Sequence, residues 1–422
     1  MHSFKIHQLW FVVPALLVTA ASAIAADQPA PVQPPSTFDE LKDAVLNGKP
    51  LLDIRYRFED VSQGGFAHDA QANTVRTRAG YETGVFDNFK VRFQVQNVMP
   101  VGSETYNDGV NNLSAYPSIA DPRETAELYE GYLSWSGLPQ STLTFGRQAM
   151  AVDNSRWIGI ADWRQLGQTV DALTAKNDSI PGLDLSYSYI FNVNRTNGPK
   201  TSTGVYNMHS HAIHAAYSLL PDVKLIGYSY LFDISNAPTL STQNYGGRVE
   251  IKHALDDTFK AIFNAEYARQ LDYANNPASY GVNYYLIEPG IGIGPVTAKF
   301  GYEVLSGNGT QALQTPIASL HDFNGWADKF TTTPANGLRN DYVYADYVSK
   351  PYNEWLGPTT IKGYWYNYTA DAVSMHYGNE YDLLIWQNFL THYNIGFGFF
   401  DYKADQFLTD TRKISVMFQV KF

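Results

Sequence analysis

The feature that most constrains this chain is a period of two that recurs along nearly all of it. Leu52, Ile54, Tyr56 and Phe58 alternate with Asp53, Arg55, Arg57 and Glu59. Val75, Thr77, Ala79 and Tyr81 alternate with Arg76, Arg78, Gly80 and Glu82, and Phe89, Val91, Phe93 and Val95 with Lys90, Arg92, Gln94 and Gln96. Successive side chains of an extended strand point to opposite faces, so each run has one apolar face and one polar face. Further runs lie near 125–137, 140–149, 168–176, 182–193, 209–219, 222–233, 243–253, 257–269, 279–289, 294–305, 338–349, 358–369, 378–389, 391–402 and 412–422, giving eighteen in all. The last is the most regular: Ile414, Val416, Phe418, Val420 and Phe422 on one face, Ser415, Met417, Gln419 and Lys421 on the other.

A single alternating run suits a soluble sandwich as well as a barrel. The connections separate the two. Asp87-Asn88, Leu138-Pro139, Leu220 to Asp222 and Leu255 to Asp257 are tight turns, whereas 99–124, 150–167, 194–208 and 306–337 are long. Short turns at one end and long loops at the other are the pattern of a transmembrane antiparallel β-barrel. We therefore expect an all-β fold of about 18 strands, with short periplasmic turns, long extracellular loops and, from the even count, both termini on the periplasmic side. Composition agrees. Aromatics reach 14% with 30 Tyr, and charged residues only 17%, below the roughly 25% usual in soluble domains. The mean hydropathy is −0.28, as expected where two opposed faces cancel. Tyr187, Tyr189, Trp365, Tyr366 and Trp386 are candidates for aromatic girdles.

Residues 1–25 read as an export signal. Lys5 supplies the positive region, an apolar stretch follows, and Ala23-Ile24-Ala25 fits a cleavage site. No later stretch approaches the roughly 18–20 apolar residues of a spanning helix. Residues 26–49 divide into a Pro-rich tether and a short periplasmic helix, with Phe38, Leu41 and Val45 at helical spacing, Thr37 as cap and Gly48 as stop. Residues 50–422 form the barrel. Such a barrel is expected in the outer membrane of a Gram-negative bacterium, with outer-membrane lipid as a partner. The terminal Phe422 resembles the closing residue of outer-membrane proteins, which implies the barrel-assembly machinery as a further partner.

The net charge of −11 argues against nucleic acid as a partner. The absence of cysteine excludes a disulfide framework and thiolate chemistry. The inward set of the first three runs contains Arg55, Arg57, Arg76, Arg78, Lys90 and Arg92 against Asp53, Glu59 and Glu82. Such a wall is either a ladder of salt bridges or an anion-attracting strip in a water-filled pore. Arginine suits carboxylates because its planar fork bonds both oxygens.

Catalytic patterns are weak. His209 and His211 share a strand face and His214 takes the other, which leaves only two imidazoles for one metal. Ser319, His321 and Asp322 supply hydrolase residue types without evidence of a triad. The acidic loop 104–112 lacks the ligand spacing of a calcium loop. We expect no enzyme, no metal and no cofactor.

Two stretches carry a family resemblance: FGRQAMAVDNSRWIGIADWRQLGQTVDA, from Phe145 to Ala172, and GYEVLSGNGTQALQTPIASLHDFNGWADKFTTTPANGL, from Gly301 to Leu338. Both resemble the alginate-export family of outer-membrane barrels, as do LDIRYRFEDV, RTRAGYETG, YARQLDYANNPASY and the closing strand. The resemblance implies an 18-stranded barrel for passive movement of solutes, in the type member an anionic uronate polymer. It also implies roles for Arg147, Arg156, Trp163, Arg164 and Gln165, and for a loop motif of Asn324, Gly325, Trp326, Ala327, Asp328, Lys329 and Phe330 folded in or over the pore. The expected pore lining is thus Arg55, Arg57, Arg76, Arg78, Lys90, Arg92, Arg147, Arg156 and Arg164, with Glu82 and Glu130 as acidic members. The leading expectation is a pore for small or oligomeric anionic solutes, such as an anionic saccharide or small organic anion. The alternatives are a dedicated exopolysaccharide exporter, an outer-membrane hydrolase and a structural or adhesive barrel.

Overall fold

The computed structural model of the protein describes residues 36–122 and 124–422. The leader at 1–25 and most of the Pro-rich tether lie outside the described residues. Helix α1 (Thr37–Leu46) comes first. Its cap is Ser36 rather than Thr37: the Ser36 side chain accepts the Asp39 N–H at 3.2 Å. The Gly84 N–H donates to the Ala44 carbonyl at 2.7 Å, which fixes the helix under the turn at 83–88.

Eighteen strands follow. They are β1 (Lys49–Gln63), β2 (Ala70–Glu82), β3 (Phe89–Thr105), β4 (Thr125–Trp135), β5 (Ser141–Gln148) and β6 (Thr169–Ile180). Next come β7 (Leu183–Asn194), β8 (Val205–Leu220), β9 (Val223–Phe232), β10 (Thr242–Ala254), β11 (Phe259–Asp272) and β12 (Gly281–Ile293). The last are β13 (Val296–Leu305), β14 (Leu338–Val348), β15 (Leu356–Thr369), β16 (His376–Phe389), β17 (Tyr393–Ala404) and β18 (Thr411–Lys421). Each pairs antiparallel with the next, and β18 returns to β1, so the sheet has no free edge. The closing register runs from Asp53 opposite Lys421 to Gln63 opposite Thr411. Phe422 prolongs it: its N–H donates to the Leu52 carbonyl at 2.8 Å, and its ring stacks on His392 at 4.5 Å.

The alternation read from the sequence sets inside against outside. Phe93, Leu133, Phe145, Ile213, Phe263, Ile287, Phe300, Val343 and Phe418 are all exposed on the outer wall. A continuous apolar band around a molecule is tolerated only where lipid covers it. Among the described residues no helix is long and apolar enough to cross a membrane; the strands cross it. Tyr187 and Trp365 face outward as expected of a girdle. Tyr366 and Trp386 do not. Tyr366 is buried in the lumen between Tyr364 and Tyr368, stacked at 5.0 and 5.5 Å, and Trp386 turns inward over Gly396. The reason is parity: if Trp365 faces lipid, its chain neighbour cannot.

Connections alternate in length. Short turns lie on the side of α1 and Phe422, and the turn at Asp87-Asn88 places both residues at positive φ (47° and 66°), the geometry whose twist matches a hairpin. The loops at 106–124, 149–168 and 306–337 lie at the opposite, outer end. Two of them turn into the barrel.

Val416 sits in the middle of β18, opposite Phe58 and Phe397 on the lipid face. Val416→Lys is expected to cost roughly 2–4 kcal/mol, read by urea titration of folding into lipid vesicles. An unaltered midpoint would show that this face does not meet lipid.

Candidate functional site

The site is the interior where the two inward loops meet. Ile158 of the first bridges Ile317 of the second. The Gly159 N–H donates to the Ile317 carbonyl at 3.0 Å and the Ser319 N–H to the Ser155 carbonyl at 3.1 Å. The Gln168 amide donates to the carbonyls of both Gly159 and Ile317 at 2.7 Å. Trp157, Ile158, Leu313, Ile317, Trp326 and Phe330 then pack against inward strand residues such as Tyr230, Tyr284, Tyr368 and Phe400. The loops therefore form one septum across the lumen. It is not a free lid.

The septum meets the basic wall. Asp162, a third exposed, lies among three arginines: Arg78 at 2.7 Å, Arg76 at 3.1 Å and Arg55 at 3.2 Å. Arg76 also binds Asp53 at 2.7 Å, and Arg78 lies over the Tyr129 ring at 3.7 Å. Arg57 pairs with Glu59, bonds the Trp163 carbonyl and sits 3.6 Å from Asp121. Depth in the lumen alone would raise the Asp162 pKa, but the charges of Arg55, Arg78 and Arg76 hold it well below the usual carboxylate range. Arg55, Arg57, Arg76 and Arg78 do line up on the inner wall, yet they are buried, at 6%, 1%, 0% and 4% exposure. This differs from a solvated basic strip. Unpaired buried guanidinium groups are costly, and the loops bring the carboxylates that compensate them.

The remaining residues fall into three groups. Lys90, Arg92, Glu82 and Glu130 form a partly exposed network near the short-turn end: Lys90 to Glu82 at 3.1 Å, Arg92 to Glu82 at 3.1 Å and to Glu130 at 2.7 Å. Arg156 and Arg164 belong to the septum. Arg156 is buried against Glu303 at 3.1 Å and over the Phe323 ring, and Arg164 joins Glu59 at 3.3 Å to Asp328 at 2.5 Å. Arg147 is a correction to the expected pore lining. It shares the outward face of Phe145, which is 60% exposed, and is held bidentately by Asp171 at 2.7 and 3.0 Å. Strand parity decides this, and the family motif says nothing about it.

The loop motif is pinned at every position. Asn324 approaches Asn340, and the N–H groups of Trp326 and Ala327 donate to Asp382 at 2.9 Å and Glu380 at 2.6 Å. A Cβ on Gly325, whose φ is +86°, would lie 2.3 Å from the Tyr368 hydroxyl and 2.4 Å from the Glu380 carboxylate. Asp328 accepts from Arg164, Lys413 and His321, Lys329 bonds Thr411 at 2.7 Å, and Phe330 fills a box of Tyr368, Tyr377, Tyr402 and Phe407. Trp163 stacks on His321 at 4.4 Å, and Gln165 bonds Thr74.

Sequence reasoning missed the tyrosine lining. Tyr364, Tyr366 and Tyr368 stack along one inner face of β15, with Tyr342 and Tyr344 beside them on β14. The Y-x-Y spacing of these strands was the available signal. Of the histidines, His209 and His211 face outward against Tyr189 and Tyr187, and His214 faces inward, paired with Asp153 at 2.8 Å. Ser319 accepts the Ala161 N–H, and His321 bonds Asp328 rather than Ser319, so the three hydrolase residue types are not arranged as a relay. Asp108 in the acidic loop accepts the N–H groups of Val110 and Asn111, and among the described residues no group of three potential metal ligands occurs.

A closed 18-stranded barrel with an apolar outer belt and loops folded into a charged lumen is a transmembrane β-barrel of the outer-membrane, porin-like class. Residues 51–184 match the alginate-export family, so the resemblance read from the motifs is shown across the arginine-bearing wall and the first inward loop. Among solved structures the chain is similar to OccAB4 of Acinetobacter baumannii (TM-score 0.69, 13% identity, covering 89% of this chain and 98% of that one). It is similar also to OpdK of Pseudomonas aeruginosa, determined with vanillate (TM-score 0.68, 13% identity, 90% and 99% covered), and to OpdQ of the same organism (TM-score 0.66, 12% identity, 90% and 99% covered). No curated protein matches the sequence.

Two outcomes test the septum. Asp328→Ala leaves Arg164 and Lys413 without their shared counter-ion, a loss of about 3–5 kcal/mol for a broken buried pair. Because the strands close the barrel independently of the loops, single-channel conductance should rise while the folded, heat-modifiable band persists. The second outcome concerns pH. Burial depresses His321 to about 4, against the Asp328 charge that favours its protonation. Its folded pKa lies below its unfolded value, so its contribution is complete above about pH 6.5 and is lost as pH falls toward 4. Asp322, raised by burial to about 6, acts in the opposite sense. Because the two oppose each other, the readout is the difference between proteins: the stability of His321→Gln relative to wild type should rise as pH falls from 6.5 to 4, as read by urea titration monitored through near-ultraviolet circular dichroism.

Proposed function

We propose that this outer-membrane barrel is a passive channel for small carboxylate-bearing solutes. The observation that carries the reading is the Asp162 carboxylate in its cradle of Arg55, Arg76 and Arg78, partly open to the lumen. The wall is built to hold a carboxylate, and the protein's own side chain occupies the place. A guanidinium cluster inside a low-dielectric wall also focuses field along the path of an anion. The Tyr342, Tyr364 and Tyr366 faces below the septum border a cavity of about 160 Å³ and suit the flat or ring-shaped body of such a solute; its cations add no free charge, since Lys299 pairs with Glu288 at 2.8 Å and Arg248 with Glu266 at 3.2 Å, and Glu303 and Asp322 line it too. OpdK, of the same fold, was determined with vanillate, itself an aromatic carboxylate. The pinned septum favours small solutes or short oligomers over a threaded polymer, which would require the loops to leave the lumen.

The test is the zero-current potential across a salt gradient in planar bilayers. Wild type should prefer anions, and Asp162→Asn should increase that preference and the conductance, chiefly at low salt, since screening at about 0.1 M already limits the field to roughly 10 Å. A cation-directed potential in both proteins would remove the reading. Arg76→Gln with Arg78→Gln is a poorer probe, because both side chains are buried in ion pairs and their loss would disturb the wall itself.

A further inference from the structure

Outside the septum, at the long-loop end, lies a chamber of about 420 Å³. Gln63 and Phe66 border it from β1 and the following loop, Arg195 and Thr196 from the loop after β7, and Lys329 and Thr331 from the septum. Arg164, Lys413 and His321 also reach it, but all three converge on Asp328. Two cations are left. The Lys329 ammonium donates to the Thr411 hydroxyl at 2.7 Å and lies 5.9 Å from the Tyr402 ring. The Arg195 guanidinium donates to the Thr203 carbonyl at 3.0 Å and lies 4.4 Å from the Tyr206 ring. Each has neutral oxygen and an aromatic face as neighbours, and neither forms an ion pair with a carboxylate among the described residues.

Cations drawn out of water without a counter-ion are unfavourable, and this chamber holds two of them in one concave, partly dry space. Their cost is visible at Lys329: burial and the neighbouring Lys413 charge lower its pKa to about 8, with the Glu380 and Asp328 charges opposing. A bound anion would supply the missing charge. Gln63 and Thr331 add neutral hydrogen-bonding groups at the same walls, which fits a ligand that carries hydroxyls beside its charge. The inner wall differs in kind. There every arginine already has a carboxylate from the protein.

We propose that this outer chamber is a capture site for the carboxylate of a hydroxylated organic acid, held between Lys329 and Arg195 before the solute passes the septum. The proposal rests on the reading of the barrel as an anion channel and adds a location, two ligating residues and a side. A passive channel takes its net direction from the gradient alone. A site at the outer mouth raises the rate at which dilute external solute is captured.

The experiment is block of single-channel current by D-galacturonate, added first to the long-loop side and then to the other. Wild type is expected to show concentration-dependent block at lower concentration from the long-loop side. Lys329→Gln and Arg195→Gln should each raise the half-blocking concentration about tenfold from that side, and Arg195→Lys should restore part of the loss. Heat-modifiable migration verifies that each variant is folded. Block that is unchanged in both Gln variants, or equal from the two sides in wild type, overturns the capture site. The zero-current potential in the same membranes separates the two failures. An anion-directed potential with unchanged block removes the capture site alone, whereas a cation-directed potential removes the anion-channel reading beneath it.

Discussion

Everything in this molecule depends on the pairing of β1 with β18. In lipid an unpaired backbone N–H or C=O has no water to turn to, so a sheet that crosses the membrane must close. Closure runs over eleven residue pairs from Asp53–Lys421 to Gln63–Thr411 and continues in the hydrogen bonds between Leu52 and Phe422. Once the sheet is closed, each side chain has only two possible surroundings, lipid or lumen, and period two assigns them alternately. The outward phenylalanines and the inward arginines follow from one constraint.

The closed wall creates an electrostatic problem that the loops resolve. Four arginines on two adjacent strands face the same interior, where like charges repel and water is scarce. Asp162 answers three of them, and Asp121 and Glu59 surround the fourth. In return the arginines hold the loop at 149–168 inside the barrel, and that loop holds the one at 306–337 through Ile158 and Gln168. The basic wall thus acts first as an anchor for the septum. Under the proposed function a solute would meet the accessible part of that cradle, the tyrosine faces beneath it, and Lys329 and Arg195 beyond it, which form no ion pair with a carboxylate among the described residues.

Strand number, face assignment and the alternation of short and long connections were legible in the sequence because each follows from local chain geometry. Where the reading failed, a second fact was missing. Tyr366 looked like a girdle residue by its type, but Trp365 beside it already faces lipid. Arg147 looked like pore lining by its motif, but Phe145 two residues earlier points outward and carries Arg147 to the same face. In both cases local parity, applied consistently, outweighs residue type.

By itself, then, the sequence determined an all-β chain with eighteen two-faced strands, a closing strand and six cations on the inner parity of the first three. Those properties depend on neighbours one or two residues away. The tertiary structure alone decided which cations still meet water. The partners that neutralise Arg55, Arg76 and Arg78 lie 107, 86 and 84 residues along the chain, and those of Arg164 lie 105 and 164 away. No local pattern encodes such pairings, because they arise only when a closed wall and an inward loop bring distant charges into one low-dielectric space.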